Sequence, residues 1–368
     1  MKSKRIDRCW AEINHGALRA NLRFIRKQIP EKAEIMGMIK ANAYGHGAVA
    51  VAKTLRKEGV QWFGIASLAE GVALKRQGVR GSFLILGAAL KEEYELIIQN
   101  RFVATISSLK EGKELNQVAQ RLGLKAIVHF KVDTGMGRLG AWWEEGGREI
   151  EGLLKLSQIE VRGIYTHFSC ADSDKEETRG QVKRFLNYRP WFEKRMVHAS
   201  NSAGFLGKNR AVFDCIRPGI SLYGYAPCAK DQKFLKPVLS WKTRVTAIHA
   251  VKKGRGLSYG ATYRVLRDSK IAVLAVGYAD GYPRLLSNQG EVLICGKRAP
   301  IRGRVTMDQI LVDVTLIPQA CVGTVATLIG RERGTSIRAT ELAEKTGTIS
   351  YEILCGISER VMRVHKNR

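Results

Sequence analysis

A (β/α)8 barrel followed by a mostly-β domain is the fold class that this sequence predicts, and three observations predict it. Short apolar runs alternate with amphipathic stretches from about residue 10 to 225. Eight such alternations fit in that length, which suits a closed parallel barrel. After Tyr225 the texture changes to closely spaced β-branched segments with turn signals between them. A doubly wound dinucleotide fold would want a glycine fingerprint after its first strand, and the chain carries none there.

The barrel strands are predicted at 35–39, 62–66, 83–86, 103–106, 126–132, 161–167, 196–199 and 212–216. Amphipathic stretches at 48–58, 68–77, 109–121 and 175–194 read as helices between them. APCAKDQKFLKP reads as a linker. Beyond it, WKTRVTAIHAV, IAVLAVGYADGYP and CVGTVATLIG are strand-like, and helical periodicity returns only at 339–345. The expected domains are therefore 10–230 and 237–368, with residues 1–9 packed on the second.

Composition narrows the function classes. The chain has 368 residues, 45% hydrophobic and 26% charged, enough for a large core. No apolar run approaches the ~18 residues of a membrane span, and the start, MKSKRIDRCWAEI, has no apolar stretch of an export signal. Seven cysteines, an odd number without C-x-x-C pairs, fit a reducing cytoplasm. The net charge of +27 suggests a polyanion partner, but its distribution argues against one. Residues 237–368 hold 21 Lys+Arg and 10 Asp+Glu, and the rest of the chain 40 and 24, so the excess follows length. No nucleic acid and no membrane is expected as a partner; an anionic small molecule should still feel the field.

Chemistry in a barrel sits where strands end, on the C-terminal face. MIKANAYGHG places Lys40 at the first strand end, before a slim turn. HFKVDTGMGRLG adds Lys131 and Arg138, and YTHFSCADS adds His167. HASNSAG and IRPGISLYG add Asn201, Ser202 and Arg217. Taken singly, each has a plain reading: a solvated lysine, a hydrogen-bonded core histidine, a turn serine. Five of eight strand mouths carrying a polar group is what lifts the set.

Two chemistries compete for it. Metal-assisted hydrolysis would recruit His129, Lys131, His167 and His198, yet that class wants H-x-H at the first strand end, where Lys40 stands. No metal site is expected. Pyridoxal phosphate needs an amine, a phosphate cradle, a partner for its ring nitrogen and a flat group on the ring. Lys40, Ser202 with the Gly219 and Ile220 backbone, Arg217 and His167 supply them in turn.

The motifs MIKANAYGHG, KVDTGMGRLG, THFSCADSD, NSAG, RPGISLYG, LSYGATY, VGYADGYPR, GRVTMDQ and YEILCGISERV together resemble the alanine racemases, fold type III pyridoxal phosphate enzymes. The resemblance runs from about residue 8 to 364 in family order. It implies interconversion of L- and D-alanine, an isomerase that supplies D-alanine for peptidoglycan, and a homodimer with shared active sites. By position, Lys40 would be the Schiff-base lysine and one base, and Tyr259, from the other subunit, the second. Tyr44, Ser202, Gly219, Ile220 and Tyr351 would hold the phosphate, with Asn201 beside them. Arg138 and the Met307 backbone would meet the substrate carboxylate, and Lys131, carbamylated in this family, would hold Arg138. Asp308 would support the site and Tyr278, Arg284, Arg304, Ala171 and Asp172 the entry. A serine or broad-specificity racemase on the same scaffold is the alternative. Departures from the family pattern at Thr306, Met362 and His365 touch neither base.

Overall fold

The computed structural model describes residues 8–207, 211–227 and 229–367. These fall into two compact units: residues 18–43 with 47–236, and residues 8–17 and 44–46 with 237–367.

The first unit is a closed ring of eight parallel strands: Glu34–Met38, Trp62–Ile65, Ser82–Ile85, Val103–Ile106, Ala126–Asp133, Ile159–Tyr165, Met196–His198 and Cys215–Ile216. Each pairs with the next, and the eighth closes on the first through Cys215 opposite Glu34. Their residues are buried on both faces, which is why the strands read as continuous apolar runs. Stacked rings of Phe63 and Phe83, with Phe102 edge-on to Phe83, fill the layer outside the early strands.

Helix starts are set by side chains that the strand–helix junctions supply. Ser67, Ser108 and Asp174 each accept from a backbone N–H in the first turn behind them. The amphipathic stretch expected over 175–194 is a helix only over Lys175–Leu186. Pro190 has no N–H to give the Leu186 carbonyl, so the helix does not continue past it, and Arg189–Trp191 is a separate short 3-10 turn. The stretch read as a linker folds in part: Gln232 donates to the Gly224 and Leu235 carbonyls and accepts from the Ala226 N–H.

The second unit is built on one long strand, Leu239–Val251, whose burial alternates along most of its length. It pairs antiparallel with Cys9–Asn14, Ser269–Leu274 and Val325–Glu332. Cys9–Asn14 also runs parallel to Met362–Lys366 and so lies inside this sheet. Residues 10–17, which the sequence reading assigned to the barrel, therefore sit with the second unit; residues 1–7 lie outside the described residues. A single short amphipathic strand cannot reveal which sheet it joins. Trp241 is fully buried here, its ring 5.7 Å from that of Tyr282. No helix among the described residues is long and apolar enough to cross a membrane.

Gly163 on the sixth barrel strand is where close packing is least forgiving. A Cβ there would lie 2.6 Å from three atoms of the fully buried His129 ring. Gly163→Ala should cost about 1–3 kcal/mol of stability, read as a lowered urea midpoint with unchanged slope. An unchanged midpoint would mean that the interior of the barrel is loose.

Candidate active site

The C-terminal mouth of the barrel starts with a backbone anomaly. Lys40 directly follows Ile39, and the next residues turn left-handed: Ala41 at φ 50 and ψ 52, Asn42 at 51 and 44, Ala43 at 56 and 50, then Tyr44 at φ 54. L-residues pay roughly 1–2 kcal/mol each for that region, so outside contacts must hold it. Ala43 N–H donates to the Ile39 carbonyl and Gly47 N–H to the Asn42 carbonyl. Asn42 Oδ1 accepts from Ala48 N–H at 2.8 Å. Glu70, at the start of the helix after the second strand, accepts from Ala41 N–H at 2.7 Å.

The fifth strand supplies Lys131 and Asp133, and the loop beyond it Arg138. Asp133 accepts from the backbone N–H of Gly135, Met136, Gly137 and Arg138 at 2.7–3.1 Å. Burial by itself would raise this carboxyl; the four donors outweigh it and hold it below the usual range. The turn that delivers Arg138 is thus wrapped around one carboxylate.

Lys131 is buried, and its amine falls to about 8 through desolvation, aided by Arg138, Arg217 and Lys40 and opposed by Asp133. His167, just past the sixth strand, is held well below its usual range by burial and then by Arg217, Arg138, Lys131 and Lys40. Four cations therefore act on His167 at this mouth, and Asp133 beside Lys131 is engaged by four backbone donors.

Arg217 follows the eighth strand and is buried; desolvation lowers it to about 10, so it stays charged near neutral pH. Its Nη2 donates to the Thr166 and Ala199 carbonyls, both at 2.7 Å, and lies 3.1 Å from His167 Nδ1. Its Nη1 donates to His198 Nδ1 at 2.6 Å. Guanidinium only donates, so His198 Nδ1 accepts and its proton sits on Nε2. That N–H points at His129 Nδ1, 2.9 Å away, which puts the His129 proton on its Nε2, an atom with no partner in the structure. Arg217 thus orders the tautomers of two buried imidazoles. Its Nε and second Nη1 hydrogen take no partner among the described residues.

Ser202 opens the short helix Ser202–Leu206, with Asn201 as its N-cap accepting from Gly204 N–H. Ser202 Oγ accepts from Gly219 N–H at 3.0 Å and Ser221 N–H at 3.3 Å, beside the Ser221 hydroxyl. Ile220 is buried next to them. Gln181, fully buried, donates to Thr134 Oγ1 and the His167 carbonyl and accepts from Ser169, fixing the loop that carries His167.

The second unit holds the remaining expected residues. Tyr44 and Tyr351 lie with their rings 6.0 Å apart, and burial raises the Tyr44 phenol. Gly45 passes so close to the Leu354 carbonyl that a Cβ would lie 2.2 Å from it, which leaves room for glycine alone. Tyr259 is 72% exposed on a turn with positive φ at Ser258, Gly260 and Ala261, pinned by Ser258 Oγ donating to the Arg304 carbonyl. Tyr278 and Met307 are exposed too, on loops joined by Tyr278 N–H to the Thr306 carbonyl. Asp308 accepts from Arg360 at 2.8 Å.

Residues 13–227 match the family described as "Alanine racemase, N-terminal domain", and 238–365 that described as "Alanine racemase, C-terminal domain". The chain belongs to the alanine racemase family. The alanine racemase of Halothermothrix orenii is 44% identical over 375 residues, covering 100% of this chain and 99% of that protein. The solved alanine racemase of Clostridium difficile 630 superposes with a TM-score of 0.93 at 38% identity, covering 99% of this chain and 97% of that one. That of Bartonella henselae, solved with covalently bound pyridoxal phosphate, gives 0.89 at 28% identity over 98% of this chain and 100% of that one. The family is one of pyridoxal phosphate-dependent racemases, and its members interconvert L- and D-alanine.

Glu70, Asp133, Gln181 and Ser221 were not singled out from sequence. The S-x-x-E spacing of Ser67 and Glu70 is a signal for the start of a helix, and it carries no sign of the distant N–H that Glu70 meets.

The buried histidines make stability depend on pH. His129 is lowered from 6.5 to about 3 by burial, then by Arg217 and Arg162. Its folded pKa lies below the unfolded one, so its contribution is complete above about pH 6.5 and is lost as pH falls toward about 3. Removing it with His129→Gln should narrow the stability gap between wild type and variant by about 1.4 kcal/mol from about pH 7.5 to about pH 5.5. Denaturation curves at both pH values that shift in parallel would show that His129 is not held neutral.

Proposed function

We propose that this chain racemises alanine through two bases contributed by two subunits, with the sites at the mouths of the barrels. The observation that carries it is the cluster of Lys40, Lys131, Arg138 and Arg217 about His167, with Asp133 beside Lys131 already accepting four backbone N–H bonds. Such a donor set suits a small dianion and a substrate carboxylate, and thus fits pyridoxal phosphate with an amino acid.

Pyridoxal phosphate, when bound, supplies the electron sink that makes an amino acid's α-proton removable. Lys40 would anchor it through its amine. Ser202, the Gly219 and Ile220 backbone, Tyr44 and Tyr351 would hold the phosphate, with Asn201 fixing the start of the Ser202 helix. His167, held neutral, would lie against the ring without adding charge. Arg217 has Nε–H and one Nη1–H left to offer the ring nitrogen. It would donate a hydrogen bond there and keep its own proton, which would keep the sink weak and disfavour side reactions. Arg138 and the Met307 backbone would orient the substrate carboxylate. A Lys131 amine brought down to about 8 has enough free base to take up CO2, and the resulting carbamate would give Arg138 an anionic partner. Tyr278 and Asp308 would shape and support the entrance.

Racemisation takes a proton from one face of a carbon and returns one to the other, so two bases must flank it. Lys40 Nζ would serve one face and the partner subunit's Tyr259 the other. The exposure of Tyr259, Tyr278 and Met307 in the lone chain supports a homodimer that covers them. On this reading, residues 10–230 bind the cofactor and residues 237–368 deliver Tyr259 to a neighbour. D-alanine for peptidoglycan, made in the cytoplasm, is the expected product.

Chiral analysis after incubation of the holoenzyme with L-alanine and, separately, L-serine should show D-alanine as the faster product. Preferred racemisation of serine would favour the broad-specificity reading, and no D-product from either would end both.

Crossing of Tyr259 has its own test. Lys40→Ala and Tyr259→Phe homodimers should each be inactive. If Tyr259 crosses, a mixed dimer gathers both lesions in one site and leaves the other intact. Reassociating equal amounts should then restore about a quarter of wild-type sites under random pairing. Confirmed heterodimers without activity would return Tyr259 to its own subunit.

A further inference from the structure

The left-handed turn behind Lys40 is held from outside by a side chain that the reaction itself does not use. Glu70 stands in the first turn of Leu68–Arg76, three residues after the N-cap Ser67. A glutamate there ordinarily reaches back to the N-cap's own N–H and closes a capping box. Glu70 does otherwise. Its Oε2 accepts from Ala66 N–H at 2.7 Å, one residue before the cap, and its Oε1 from Ala41 N–H at 2.7 Å. One carboxylate thus ties the loop after the second barrel strand to the first residue beyond Lys40.

That position matters because Ala41 opens the run of positive φ. Alanine prefers the right-handed region, so without an acceptor its N–H would swing away and take the Lys40–Ala41 peptide with it. The peptide plane next to Lys40 sets where the Lys40 side chain leaves the backbone. Asn42 and Gly47 close the far end of the turn, and Glu70 is the side chain that holds its near end.

We propose that Glu70 is a positioning residue for Lys40, holding the left-handed turn through the Ala41 N–H so that the amine is aimed into the barrel mouth. The claim rests on Lys40 as the anchoring amine, and the test separates the two. The apoproteins of wild type, Glu70→Gln and Glu70→Ala would be compared in two ways. One is hydrogen exchange of the segment containing Ala41 and Ala43. The other is the rate of covalent attachment of added pyridoxal phosphate, in which lysine amine and aldehyde condense with loss of one water.

Glu70→Ala loses both acceptors, and Glu70→Gln keeps one. Exchange at the turn should rise from wild type to Glu70→Gln to Glu70→Ala, while helix Leu68–Arg76 keeps its protection. Attachment should slow about tenfold or more in the alanine variant and less in the glutamine one, as expected when a reacting group is mispositioned. In the holoenzymes kcat should fall with KM little changed. Glycine populates the left-handed region without penalty, so Ala41→Gly added to Glu70→Ala should recover several-fold of the attachment rate. Loss of exchange protection confined to the helix, with no rescue by glycine, would reduce Glu70 to a helix cap and overturn the proposal. So would wild-type attachment in both Glu70 variants. Lys40→Ala is the control: if it still attaches the cofactor, the anchor is misassigned, and the exchange at Ala41 decides the grip of Glu70 independently.

Discussion

A guanidinium buried without a carboxylate is the constraint around which the barrel mouth is organised. Arg217 is held by the Thr166 and Ala199 carbonyls and by the His198 imidazole, all neutral acceptors. Burying such a charge is costly, and neutral acceptors spread it without cancelling it. Three consequences follow from that one placement. His129, His167 and His198, held toward their neutral forms first by burial, are pushed further that way by its charge. The nitrogen that faces Arg217 sets the tautomer of His198, and His198 in turn sets that of His129. Lys40, Lys131 and Arg138 add positive charge to the same mouth.

Strain is concentrated at the neighbouring strand end. Four consecutive non-glycine residues, Ala41 to Tyr44, adopt the left-handed region, and each of the first three has a backbone or side-chain bond that fixes it or its neighbour. A flexible loop would relax to right-handed values, so the turn exists because contacts over-determine it. It starts immediately after Lys40, and the chain passes from the barrel unit to the other between Ala43 and Tyr44.

The two units make different demands on their loops. In the barrel, functional side chains sit directly on strand ends and are packed from below, as Lys131 and Arg217 are. In the second unit Tyr259 stands on a solvent-facing turn fixed by three positive-φ residues and a hydroxyl bond to the Arg304 carbonyl. Rigid presentation of an exposed phenol is what the proposed delivery of Tyr259 to a partner subunit requires.

Periodicity and residue type alone located the eight barrel strands to within a few residues and brought out Lys40, Arg138, His167, Ser202 and Arg217, because a barrel places its chemistry at strand ends and strand ends are visible as breaks in apolar runs. Tyr44, Tyr259, Tyr351, Met307 and Asp308 became legible only through family resemblance, since nothing in their spacing marks them. Tertiary structure decided the rest. It put Cys9–Asn14 into the second unit's sheet, and joined Glu70 to Ala41, Asp133 to four N–H groups, and Arg217 to two imidazoles. Local sequence encodes which face is apolar and where a turn must come; which distant donor a carboxylate or guanidinium meets depends on the closing of the ring, and no window of neighbouring residues contains that.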